Sequence, residues 1–196
     1  MDCLRAEAYI LPQLRQHLSS TLFYHGLHHT LDVVEQALSL AEAEGITDAA
    51  ELTLLRTAAL YHDAGFLTTY QGHEVAGCEL ARQVLPRFGY TPPQIELIAE
   101  LVLATRMPQN PGTRHLARIL CDADLDYLGR PDFWPISQTL YDELTLRGLM
   151  TDETAWLQLQ VDFLSSHRYW TSTATARRET QKLARLAEVR QQLAQF

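Results

Sequence analysis

The chain has 196 residues, 46% of them hydrophobic and 20% charged, with a formal net charge of −8. That size and apolar content suit one globular domain with its own core, and the acidic balance argues against a nucleic-acid binder, which would carry a basic face. A small phosphorylated partner stays open, because a bound cation can reverse the local field.

No apolar run approaches the ~18 residues of a membrane span, and the N-terminal MDCLRAEAYILPQLRQHL lacks a basic-then-apolar leader pattern. Cys3, Cys78 and Cys121 are odd in number and scattered, with no CxxC. This fits a reducing compartment without a disulfide framework. The expectation is a cytoplasmic protein with no membrane association.

Taken in order, residues 3–19 place Leu4, Ala8, Leu11, Leu14 and Leu18 on one helical stripe, with Pro12 as the point of a kink or a later start. Phe23 to Thr30 holds His25, His28, His29 and Gly26 just before a second helix that runs on Leu31, Val34, Leu38 and Ala41 to about Glu44. Gly45 is a stop signal. A third helix starts after Asp48, with Glu51 in capping-box position. It carries Leu54, Leu55, Ala58, Ala59 and Tyr61 at the spacing of a buried face and ends at His62-Asp63, before Gly65. A fourth spans His73 to about Phe88. Thr91-Pro92-Pro93-Gln94 opens a fifth as N-cap, first-turn proline and N3 glutamine.

Residues 107–112 are rich in Pro, Gly and Asn and read as a loop. A sixth helix is expected over about Thr113 to Leu128. Three more follow, over about 133–147, 151–167 and 175–194, the last with a thin Leu183, Leu186, Val189, Leu193 stripe. No period-two alternation marks a strand. The expected fold is all-α, a single domain over residues 1–196 of eight or nine helices, with the motif-bearing part at about 23–130 and the segment 131–196 completing it.

His29, His62, Asp63, His73 and Asp122 lie at or near helix ends beside apolar stripes. Buried polar groups there are costly unless something satisfies them, and a divalent cation would do so. Imidazole and carboxylate together suit Mn, Fe, Co, Ni or Zn, with Mg also open, and two or three imidazoles plus two carboxylates leave positions for water or substrate.

These blocks resemble the HD superfamily of metal-dependent phosphohydrolases. Tyr24-His25-x-x-x-His29-Thr30 is similar to the family's YHN-x-x-HT opening, with Gly26 where Asn is common. Leu60-Tyr61-His62-Asp63-Ala64-Gly65 resembles its HD core. His73-Glu74 resembles the HE that follows. Leu120-Cys121-Asp122-Ala123-Asp124-Leu125 with Gly129 resembles its DADL-x-x-LG block.

The resemblance implies His29, His62, Asp63 and Asp122 as metal ligands. Asp124 competes with Asp122 and, on a helix, points about 200° away from it. The flanking Leu120-Cys121 favours Asp122, leaving Asp124 a supporting hydrogen bond or a substrate contact. The resemblance further implies that a metal-bound water attacks phosphorus. Asp63 would hold or deprotonate that water. His73 would grip a phosphate oxygen, protonate the leaving group or bind a second metal, and Glu74 would orient it. Arg106 and Arg114, flanking the 107–112 loop, could hold a phosphate.

The expected activity is hydrolysis of a nucleotide or other small phosphate ester. Two alternatives use the same residues. One is a di-iron oxygenase, needing His73 and His115 to close a second metal site. The other is a non-catalytic nucleotide-binding regulatory module. No motif names the substrate or the oligomeric state.

Overall fold

A computed structural model describes all residues, Met1 to Phe196. It contains nine α-helices, three 3-10 turns and no strand. The chain forms two compact units, one of residues 1–19 and 25–124, the other of residues 20–24 and 125–196.

The first unit holds α1 (Cys3–His17), α2 (Leu27–Ala43), α3 (Ala49–Tyr61), α4 (His73–Val84), α5 (Pro92–Ala104) and α6 (His115–Asp124). Helix α3 is its central element, with Leu54, Leu55 and every residue from Thr57 to Tyr61 buried. Its start is fixed locally, because Asp48 Oδ1 accepts from the backbone N–H of Ala50 and Glu51 at 2.8 and 2.9 Å. Helix α5 begins with the expected box, Gln94 Oε1 accepting from the Thr91 N–H at 2.9 Å. Pro12 sits inside α1 without ending it.

Two of the boundaries that differ from the sequence expectation bear on the site. Helix α2 begins at Leu27, with Gly26 as its extended N-cap, so His28 and His29 lie in its first turn rather than in a loop before it. Helix α6 stops at Asp124, and a separate 3-10 turn covers Asp126–Gly129. The expected continuous helix to Leu128 is therefore two elements, with Asp122 and Asp124 in the last turn of the first.

The turn after α3 is a second 3-10 element, Ala64–Leu67. A Cβ on Gly65 would overlap the His73 carbonyl and would stand 2.7 Å from the Gly77 backbone nitrogen. Only glycine lets α4 approach that turn so closely. Gly77 does the reciprocal work, since a Cβ there would meet the Tyr61 carbonyl at 3.0 Å.

The second unit holds α7 (Phe133–Leu146), α8 (Glu153–Ser166) and α9 (Ser172–Leu193). Its core gathers Tyr24, Leu125, Tyr127, Leu128, Phe133, Leu157, Leu164, Leu186 and Val189. Buried charges in it are paired. Glu143 accepts from the Tyr24 N–H at 2.9 Å. Asp126 accepts from Arg178 Nε at 2.8 Å. Lys182 Nζ donates to the His167 carbonyl at 2.7 Å and stands 2.9 Å from Glu179. On α9 the expected stripe is corrected at one place: Leu183 is exposed, and Lys182 turns inward beside Leu186 and Val189.

Candidate metal centre

Three helix ends in the first unit deliver four polar side chains to one place. His29 comes from the first turn of α2, His62 caps the C-terminus of α3, Asp63 follows it, and Asp124 ends α6. His29 Nε2 and His62 Nε2 face each other at 3.4 Å. Asp124 Oδ1 lies 3.2 Å from the first and 3.6 Å from the second. Asp63 Oδ2 lies 3.5 and 3.3 Å from the same two nitrogens. His29, His62, Asp63 and Asp124 are each largely hidden from solvent, the least so being the Asp124 side chain at 15% exposure.

The tautomer of His62 follows from its own helix. Its Nδ1 lies 2.7 Å from the Ala59 carbonyl, which can only accept, so Nδ1 carries hydrogen. A neutral His62 then presents a bare Nε2 to the group, as in many metal-binding histidines. Asp63 Oδ2 is buried and accepts no hydrogen bond. Such an oxygen is costly to bury unless a charge answers it. Neighbouring ligands held at ordinary N/O–metal distances are about 3–3.5 Å apart, so the donor set and its spacing fit a divalent cation. His29, His62 and Asp124 form a group able to hold one.

The contacts in and beside this group shift the titration of three side chains. Burial disfavours a charged His62, but the adjacent Asp63 and Asp124 carboxylates outweigh it and lift the imidazole to about 9. Burial likewise pushes Asp63 up, and the His62 charge, with His73 behind it, overrides that and holds its carboxyl well below the usual range. His73 is raised too: burial opposes its charge, and Asp63, then Glu74, favour it. His73 Nε2 lies 3.4 Å from Asp63 Oδ1, the other oxygen of that carboxylate, and 3.7 Å from Glu74 Oε1. Its Nδ1 lies 3.3 Å from the Tyr70 carbonyl. The ring stacks on Phe66 at 3.9 Å, and His25 lies 4.5 Å from Phe66 on another side.

The preference for Asp122 is corrected by this geometry. Asp124 stands against the imidazoles, whereas Asp122, fully buried on α6, is not in the group. Two residues along a helix reverse direction, and the last turn of α6 aims the second carboxylate inward. Arg114 is exposed and engaged by Glu100 at 2.7 Å. Arg106 is exposed just after α5. His115, needed for a second iron, is exposed and pairs with Glu44 at 2.9 Å. His28 is exposed while its neighbour His29 is buried.

One contact escaped the sequence. Gln109, in the loop after α5, reaches Asp124 Oδ2 at 3.3 Å and the Cys121 carbonyl at 3.2 Å. Nothing in the local composition marks it, since a loop glutamine is ordinarily a solvated residue.

Comparison with known proteins gives the same frame. The HD domain family model matches residues 26–126, just over half of the chain. The chain belongs to the HD domain family. An uncharacterized protein of Clostridium beijerinckii is 28% identical over 105 residues, which is 51% of this chain and 62% of that relative, so the match spans less than two thirds of the relative's length. The crystal structure of a predicted HD superfamily hydrolase from an uncultured Thermotogales bacterium superposes with a TM-score of 0.61 at 23% identity. The match covers 96% of this chain and 91% of that one, and establishes a shared fold. The matched family segment contains every residue of the His/Asp group. No helix of this HD protein is long and apolar enough to cross a membrane.

Proposed function

We propose that this HD protein is a metal-dependent phosphohydrolase acting on a nucleotide or other small phosphate ester. The observation that supports this best is the buried convergence of His29 Nε2, His62 Nε2, Asp124 Oδ1 and Asp63 Oδ2. These four side chains, with Asp124 in place of Asp122, would hold a divalent cation of the Mn, Fe, Co, Ni, Zn or Mg class. When bound, such an ion lowers the pKa of a water ligand and neutralises charge on a phosphoryl oxygen.

The remaining work falls to the chain's own groups. Asp63 Oδ1 accepts the proton that the attacking water loses as the new P–O bond forms. His73, whose protonated form Asp63 and Glu74 favour, gives its Nε2 proton to the leaving oxygen as the old P–O bond breaks. Glu74 and the Tyr70 carbonyl hold that ring in place. The Phe66 face against His73 keeps water from its apolar side. Arg106, exposed beside the 107–112 loop, is the basic group offered to the substrate phosphate.

The test is a screen of phosphate esters with chelator-treated protein, read as released phosphate with and without Mn²⁺ or Co²⁺. Turnover that appears only with metal supports the assignment. Hydrolysis left intact in the His62→Ala, Asp63→Ala double variant refutes it.

A further inference from the structure

Resting on the metal-site reading above, we infer that Gln109 is a positioning residue that decides which oxygen of Asp124 faces the cation. The chemistry of its amide fixes its orientation. The atom near Asp124 Oδ2 and the Cys121 carbonyl must be Nε2, because both partners are acceptors. An Nε2 carries two hydrogens, one for each. The Asp124 carboxylate is thereby divided: Oδ2 is occupied from the loop side, and Oδ1 is turned to the two imidazoles at 3.2 and 3.6 Å.

The loop itself is tied to the ends of the helices it joins. The Ala104 carbonyl, in the last residue of α5, accepts from the Asn110 N–H at 3.1 Å and from Cys121 Sγ at 3.2 Å. Gln109 thus sits one residue from a backbone anchor, and its second hydrogen bond goes to α6 three residues before Asp124. The pair of bonds sets both the height and the rotation of the carboxylate. Groups that orient metal-binding carboxylates in this way tune affinity without touching the ion.

The experiment is a titration with Co²⁺, followed by calorimetry and by the visible absorption of the bound ion, on the full-length wild type and on Gln109→Met. Methionine keeps the length of the side chain and removes both donors. The expected result is a Kd for Co²⁺ raised 10- to 100-fold, an altered absorption band, and thermal unfolding of the metal-free protein within about 2 °C of wild type. Gln109→Glu, which offers lone pairs and a charge where donors are needed, should lose more. Gln109→Ser carries the same test if the methionine variant does not fold. A Kd within twofold of wild type and an unchanged band would overturn the inference while leaving the metal site standing. Wild type that takes up no Co²⁺ would instead overturn the metal-site reading, and this inference with it.

Discussion

Asp124→Asn and Asp122→Asn provide a paired test, because the two carboxylates lie two residues apart on α6 and the structure gives them different work. A cation that binds only the folded chain stabilises it by RT ln(1 + [M]/Kd), about 2.7 kcal/mol at a hundredfold excess over Kd. For a chain of this length each kcal/mol moves Tm by about 2–4 °C. Wild type should therefore gain about 5–10 °C when Mn²⁺ or Co²⁺ is added at that excess to chelator-treated protein. Asp124 Oδ1 faces both imidazoles. Replacing it should weaken binding at least as much as losing an orienting group does, about 100-fold. At the same metal concentration the stabilisation then shrinks to about 0.4 kcal/mol, a shift near 1 °C. Asp122 is fully buried but stands outside the group. Its replacement should destabilise the metal-free protein by about 1–3 kcal/mol, and leave the metal-induced gain intact. Differential scanning fluorimetry of the three proteins reads all of this. A full gain in Asp124→Asn together with none in Asp122→Asn would refute the assignment.

Two further outcomes concern stability. Gly65→Ala places a methyl group against the His73 carbonyl, which should cost about 3 kcal/mol and drop Tm by about 6–12 °C; an unchanged melt by circular dichroism would mean α4 does not approach so closely. Burial pushes the Cys78 thiol from 9.0 up to about 11. Below pH 9 both folded and unfolded chains keep that proton and the group has no effect. Above it the unfolded chain loses its proton first, so stability falls as pH rises toward 11. Melts from pH 8 to 11 should show Cys78→Ala declining less steeply than wild type, and equal slopes would contradict the burial argument.

Much of the molecule is legible in residue order alone. The apolar spacing from Leu54 to Tyr61 marks α3, and Asp48 and the Thr91–Gln94 pair mark helix starts, because each of these signals acts within one or two turns. The His62-Asp63 and His29 blocks were legible as a family resemblance, and they lie where three helix ends meet. The choice between Asp122 and Asp124 was not. Leu116, Ala117 and every residue from Ile119 to Ala123 are buried, so the turn of α6 that carries Asp122 leaves no solvent face from which to read its rotation. Gln109 was hidden for a related reason: its partners, Cys121 and Asp124, are 12 and 15 residues further on, beyond any local pattern. Lys182 defeated the amphipathic pattern of α9 because one of its partners, the His167 carbonyl, is a backbone atom and leaves no trace in residue type.

The bond from His62 Nδ1 to the carbonyl three residues earlier has a wider meaning for how such a centre arises. The helix disposes of one ring hydrogen within its own final turn, so the choice of basic nitrogen depends on no distant segment. The other parts of the chain meet a base whose lone pair is already aimed. They are free to vary in what they bring to it, a carboxylate from one side or a second imidazole from another, without renegotiating where the lone pair lies.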